Sequence, residues 1–277
     1  MTCFQLVKSV LDEQYREIGG KRSERDHRIR RKLNYLRNRY AQLGRSPFSV
    51  SYRDPATRFA YICNYVTAHA DYASSIISRT RPLRKLFDKP KVNITCVGGG
   101  PGSDLVGILK FVEENRKRPA LRFTLFDKEP AWSESWFDVD DKLGTSLRTN
   151  VNFQEFDVAS ENTWRSHKKY LASDLFTFIY FVSETYSVRR RAAAYYRHLF
   201  RNAVSGALFL YIDNNAGCFS DWFEELCEQG GLRLVREESG VINTGADEEK
   251  TDLGKWYEKF GPVKLRSDVV YRVLRKG

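Results

Sequence analysis

The sequence predicts an α/β fold: a seven-stranded, mostly parallel sheet with a late antiparallel strand, helices on both faces, and an N-terminal helical extension. Three observations lead there. From residue 91 onward strand-like and helix-like stretches alternate, as parallel strands joined by crossovers require. The first five strand stretches include near-continuous apolar runs, the pattern of strands covered on both faces. The last two have no long crossover helix between them, which suits an antiparallel ending.

Residues 1–90 read as a helical extension and residues 91–277 as the sheet domain. In the extension, Ile29, Leu33, Leu36, Tyr40 and Leu43 recur at 4-3-4-3 spacing and so share one helical face. The stretch "SYRDPATRFAYICNYV" starts a helix, with Asp54 as N-cap and Pro55 in the first turn; Phe59, Ile62, Tyr65 and Val66 follow on one side. Pro82 and Pro90 interrupt the approach to the first strand, "VNITCVGG". Then come the helix "DLVGILKFVEENRK", the strand "LRFTLFDKE", the Trp-rich "PAWSESWFDVDDKL", and the strands "VNFQEFDV" and "DLFTFIYFVSE". The helix "VRRRAAAYYRHLFRNA", the strand "GALFLYIDNN" and the helix "FSDWFEELCEQGG" follow. "LRLVREESGVI", a helical "LGKWYEKFG" and "DVVYRVLRK" close the chain.

Composition narrows the function. The longest apolar runs are too short to span a bilayer, so no membrane partner is expected. The first residues carry Asp12 and Glu13 and lack the basic-then-apolar order of a secretory signal. Five cysteines are scattered without a C-x-x-C pair, which argues against a metal site or a disulfide framework and for a reducing, cytoplasmic or nuclear compartment. Residues 21–45 hold ten Lys/Arg against Glu24 and Asp26, a net +8 of the chain's +11. Such a stripe reads either as an RNA contact or as a solvated helix face.

The stretch "NITCVGGGPGSD" carries the strongest chemical signal. A strand running into Gly98, Gly99, Gly100, Pro101 and Gly102 and then a helix is where α/β sheets bind nucleotides. The dinucleotide spacing G-x-G-x-x-G fits imperfectly, because its third glycine falls on Ser103; G-x-G-x-G fits throughout. A P-loop is excluded, since no Gly-Lys-Ser/Thr follows. Asp127 and Asp157 lie at the ends of the second and third strands, where a carboxylate can accept two hydrogen bonds from a ribose diol, or can serve as a turn residue.

With these motifs in this order, the chain from about residue 92 resembles the class I (Rossmann-like) S-adenosylmethionine-dependent methyltransferases. The resemblance implies S-adenosylmethionine as cofactor, with Gly98–Gly102 under its methionine part. It puts Asp127 on the ribose, Lys128 beside the adenine, and Asp157 and the Val158 backbone at the adenine amino group. Ser183 and Glu184, in the loop after the fourth strand, would face the methyl group. The chain departs from many members at Cys96, where they carry an acidic residue.

Direct in-line methyl transfer needs no covalent intermediate, and a base only if the nucleophile arrives protonated. Glu184 and Tyr186 are the candidates to orient or deprotonate a substrate, with Glu184 as a plain turn residue the alternative. Members of the resembled family that methylate exocyclic base amines commonly carry a Pro-Pro pair in this loop, and those that methylate cytosine carbon use a cysteine; "FVSETYS" has neither, so the resemblance argues against both acceptors. His27, His69, His167 and His198 read as surface or packing residues. Trp132 and Trp136 read as packing or as base-stacking rings, and Tyr61 and Tyr65 as core or lid. The expected activity is methyl transfer to RNA; a protein or small-molecule acceptor and a non-catalytic cofactor-binding module are the competing readings.

Overall fold

A computed structural model describes residues 2–43 and 50–277; residues 44 and 45, the end of the basic segment, lie outside the described residues. Helices α1 (Cys3–Glu17), α2 (Arg22–Tyr40), α3 (Pro55–Tyr61), α4 (Thr67–Arg79) and α5 (Arg81–Leu86) come first, and residues Ile62–Val66 wind as a π-helix between α3 and α4. Then follow β1 (Lys91–Val97), α6 (Ser103–Glu114), β2 (Ala120–Asp127), α7 (Trp132–Leu143), β3 (Thr149–Glu155) and α8 (Glu161–Trp164). Next are β4 (Leu175–Ile179), α9 (Phe181–Thr185), α10 (Arg189–Asn202), β5 (Leu208–Asn214) and α11 (Gly217–Gln229). The chain ends with β6 (Leu232–Asn243), α12 (Lys255–Phe260) and β7 (Arg266–Lys276).

The sheet has the order β3-β2-β1-β4-β5-β7-β6. Strands β1 to β5 pair in parallel, and β7 runs antiparallel to both of its neighbours, as the lack of a long crossover helix before it implied. Strand order reverses between β1 and β4, which opens a crevice at the carboxyl ends of the strands.

The continuous apolar runs feed two cores. Along β4 and β5, Leu175, Leu208, Leu210 and Ile212 enter one cluster, while Phe176, Phe178, Phe209 and Tyr211 enter the other. The second cluster is closed by Tyr196 and Phe200 of α10 and Phe223 of α11. The first is closed by Ile108 of α6 together with Phe4, Val10, Phe59 and Ile76 of the N-terminal helices. The N-terminal helices therefore cover one face of the sheet together with α6 and α7. Of the α2 stripe, Ile29 and Leu36 are fully buried and Leu33 and Tyr40 pack against the same core.

Two contacts hold this layer. At Gly107 of α6 an added Cβ would sit 2.3 Å from the carbonyl oxygen of Ala70, so α4 and α6 touch backbone to backbone. Lys110 Nζ bonds Asp71 Oδ1 at 2.8 Å, Asp247 Oδ2 at 2.7 Å and Glu248 Oε1 at 2.8 Å. The Glu248 carboxylate also accepts from the backbone N–H groups of Cys3 (2.9 Å) and Phe4 (3.1 Å), neutralising the positive end of α1. Its carboxylate neighbours hold the Lys110 ammonium well above the usual lysine range.

One stretch departs from expectation. "DLFTFIYFVSE" reads as a strand leading into a loop, but β4 stops at Ile179 and α9 begins at Phe181. Between them Tyr180 adopts φ +53°, a left-handed conformation rare for a side chain of this size. Its N–H still donates to Ile212 O at 2.7 Å, so the sheet register survives the turn. Ser183 and Glu184 are consequently carried on a short helix.

Candidate functional site

The crevice starts at the loop after β1, where Gly98, Gly100 and Gly102 all have positive φ. A Cβ at Gly98 would stand 2.0 Å from the ring of Phe181, and one at Gly102 would stand 2.7 Å from the ring of Trp136. At those two positions the space glycine leaves is filled by the protein's own aromatic rings. At Gly100 the nearest atoms to such a Cβ are 3.6 Å away, and this residue borders an open cavity of about 190 Å³. The backbone N–H groups of Gly98 and Gly99 both donate to Phe126 O, which clamps the loop to the end of β2.

That clamp brings Asp127 alongside. Its Oδ2 accepts from Gly100 N at 3.1 Å and its Oδ1 from Glu129 N at 3.0 Å, so each oxygen retains a free lone pair. Burial raises the Asp127 carboxyl to about 6, against the opposing pull of these backbone donors. Asp157, one strand further, also lines the cavity, and its Oδ1 accepts from Ala159 N at 2.9 Å. It is a turn residue and a wall residue at once.

Across the cavity stands Glu184 of α9. Its Oε1 accepts from Tyr52 OH at 2.9 Å and Tyr40 OH at 3.1 Å, and those two hydroxyls lie 2.5 Å apart. Burial raises its carboxyl to about 7, although the tyrosine bonds pull the other way. Buried Arg58 donates to the carbonyls of Tyr52 and Arg53 and to Glu134, fixing the segment that delivers Tyr52. Tyr52 and Tyr61 contact Trp132, with ring centroids 4.9 and 5.5 Å away.

Of the residues singled out from the sequence, Gly98, Gly100, Asp127, Lys128, Asp157, Val158 and Glu184 line this cavity. Gly99 packs over Cys96 and Leu125, and Gly102 caps α6 beneath Trp136. Ser183 lines a neighbouring cavity instead, its N–H donating to Asp213 Oδ2 at 2.8 Å. Tyr186 packs on Phe219 and Trp222, with Arg189 over its ring. Trp132 forms part of the wall and Trp136 packs the loop; both are buried. Among the described residues no cluster of His, Cys, Asp and Glu is arranged to hold a metal. No helix of the described residues is long and apolar enough to cross a membrane.

Sequence reasoning missed several residues. Asp104 is buried in the first turn of α6, bonds Thr177 Oγ1 at 2.5 Å, and is raised to about 7 by burial. His69 is buried and stacks on Tyr180, and Lys264 Nζ lies 4.4 Å over the same ring. None of the three belongs to a local motif; only an acidic residue just inside a glycine-capped helix is visible in the sequence.

No family model matches the chain. The 25S rRNA (uridine(2843)-N(3))-methyltransferase of Saccharomyces cerevisiae is 23% identical over 208 residues, covering 62% of this chain and 55% of that protein. The chain thus spans about half the length of the curated relative it matches. A solved O-methyltransferase family protein from Burkholderia thailandensis superposes with a TM-score of 0.51 at 12% identity, over 90% of this chain and 71% of that one. A methyltransferase structure from Methanosarcina mazei gives 0.46 at 9% identity, over 70% and 97%.

Proposed function

We propose that this chain, which has the class I S-adenosylmethionine-dependent methyltransferase fold, binds S-adenosylmethionine at Gly100 and methylates RNA. The observation that carries the reading is the Asp127 carboxylate, held at the β2 tip beside Gly100 by one backbone N–H on each oxygen. A carboxylate fixed in this way presents two acceptors at the spacing of a vicinal diol.

The donor set suits the cofactor's charge. Asp127, Asp157 and Glu184 border the cavity together with the rings of Tyr52, Tyr61 and Trp132. Carboxylates and aromatic faces both attract a sulfonium cation. The imperfect G-x-G-x-x-G spacing argues against a dinucleotide. Phe156 and Val158 offer an apolar edge for adenine, and Lys128 would act from the flank.

When bound, the cofactor supplies a methyl group already activated by sulfonium. What the chain contributes is position: holding acceptor and methyl near attack distance can remove on the order of 7–11 kcal/mol of barrier. Glu184 serves by locking Tyr40 of α2 and Tyr52 onto α9, so that the floor of the cavity does not move.

RNA as acceptor is supported by the charge of α2 and by the ribosomal RNA specificity of the yeast relative. Asp54 neutralises Arg28 and Lys32 at 2.8 and 3.0 Å, whereas Lys21, Arg22, Arg31 and Arg37 stand exposed. Transfer of labelled methyl from S-adenosylmethionine into fractionated RNA and protein extracts tests the reading. Label in RNA is expected; label confined to protein or small molecules would remove the RNA assignment, and none anywhere would remove the enzyme.

A further inference from the structure

A second cavity, of about 400 Å³, lies across Tyr180 from the first, and Tyr180 lines both. Its walls come from the N-terminal helices on one side and from residues 262–264 on the other. His69 of α4, 3% exposed, stacks on Tyr180 with centroids 4.1 Å apart and planes at 17°. Its Nδ1 lies 3.3 Å from Tyr61 OH, and its buried Nε2 has no hydrogen-bond partner among the described residues. Lys264 Nζ stands 4.4 Å over the Tyr180 ring and 5.6 Å over that of Tyr65. The Lys264 backbone N–H is pinned to Asn64 by both its carbonyl and Oδ1, each at 3.1 Å.

Two costly backbone features converge on this cavity. Asn64 and Tyr65 belong to the π-helical turn, a winding concentrated at functional sites. Tyr180 sits in the left-handed region, which costs on the order of 1–3 kcal/mol and persists only where surroundings enforce it. The exposed cationic face of α2 leads to the rim, where Arg37 borders the opening.

We propose that this second cavity receives the acceptor nucleobase of the RNA, and that Lys264 takes the proton from a ring N–H of that base as it is methylated. The inference rests on the reading of the first cavity as the cofactor site. His69 takes one face of Tyr180 and Lys264 Nζ lies over its ring, so a planar heterocycle would rest against the Tyr65 ring beside Lys264, with Leu43, Pro262 and Val263 as the apolar wall. A ring imide or lactam N–H is acidic enough to exchange a proton with a neutral amine, and it is the acceptor type for which a base is needed. The N–H proton passes to the Nζ lone pair. The freed pair on nitrogen forms the new N–C bond, and sulfur keeps the pair of the C–S bond that breaks.

The surroundings move Lys264 toward the neutral amine this role needs, to about a tenth of the population at pH 7 and more as pH rises through 8. Burial lowers its ammonium to about 8, with Asp213 at the end of β5 pulling upward. The other titratable or charged groups around the cavity are His69 on α4, Arg37 and Tyr40 on α2, and Tyr65 and Tyr180. Burial and Lys264 together hold His69 neutral.

The test uses the full chain, S-adenosylhomocysteine or labelled S-adenosylmethionine, and RNA purified from cells that lack this protein. Acylation of lysines by acetic anhydride, read by mass spectrometry from pH 6 to 10, should show Lys264 reacting with a midpoint near 8 and becoming protected when that RNA is added. Lys264→Met should keep cofactor affinity within two-fold and lose about 100-fold or more in single-turnover methyl transfer. Lys264→Arg, which keeps the charge, should lose as much. Intact cofactor binding with Lys264 unprotected by RNA, or with either variant at the wild-type rate and pH profile, would overturn this inference alone. A wild-type chain that binds no cofactor would overturn the reading beneath it.

Discussion

The two cavities share Tyr180 but differ in how the chain builds them. The first is assembled from strand tips and the loops that follow, so its Gly98, Gly100, Asp127 and Asp157 sit at fixed distances from apolar runs. The second draws Asn64 and His69 from the N-terminal layer, Tyr180 from the sheet and Lys264 from the closing segment. A site made by local sequence is portable, whereas a site made by packing exists only while the layers stay together. Cofactor binding should therefore depend on a few residues, and acceptor binding on the integrity of the N-terminal layer.

The largest effect tests that dependence. Lys110→Met leaves Asp71, Asp247 and Glu248 facing one another beneath the N-terminal layer, with Glu248 buried. Removing one member of a buried charge cluster costs roughly 3–5 kcal/mol, and chemical denaturation should show it. Retained stability would mean that the layer is held elsewhere.

Gly98→Ala probes the first cavity in the same currency. The substitution forces a Cβ onto Phe181 at φ +73°, and overpacking together with left-handed strain should cost about 2–3 kcal/mol, seen as a lower unfolding temperature. The same change at Gly206, where φ is also positive but no atom lies near, should cost less.

Charge reversal at Arg30, Arg31 and Arg37 addresses the route to the second cavity. RNA affinity should fall, and the slope of log affinity against log salt should shrink by about one per phosphate contact removed. Cofactor affinity should not change. A salt-insensitive wild-type affinity would detach α2 from RNA binding.

The least perturbing change is Glu184→Gln, which keeps an oxygen for both tyrosines. The folded carboxyl titrates near 7 and the unfolded one near 4.5, so the folded state favours the protonated form. Its stabilising contribution is full below the lower value and is lost as pH rises through about 7. Wild-type stability relative to the variant should therefore decline between pH 5 and 8, measured by denaturant midpoints; a constant difference would remove the burial argument.

Much of the fold was legible in the sequence because burial on both faces of a parallel sheet leaves long apolar runs. The antiparallel ending was legible because the last two strands have no long crossover helix between them. The turn at Tyr180 was not, since nothing local to "FIYFVS" requires a left-handed tyrosine; Lys264 and His69 on its ring belong to distant segments. His69 read as a packing residue for the same reason: its stacking is real, and its unpartnered Nε2 shows only in three dimensions. The glycine loop reads in the sequence as a place where a nucleotide comes close, whereas at Gly98 and Gly102 it is the rings of Phe181 and Trp136 that come close.

Calorimetric titration of the wild-type chain and Asp127→Ala with S-adenosylmethionine tests the central claim most directly, with NAD as the control ligand. Two hydrogen bonds to one carboxylate predict a loss of about 3 kcal/mol, roughly 150-fold in affinity, in the variant, and no binding of NAD to either. Equal S-adenosylmethionine affinity in both proteins would contradict the assignment of the Gly100 crevice.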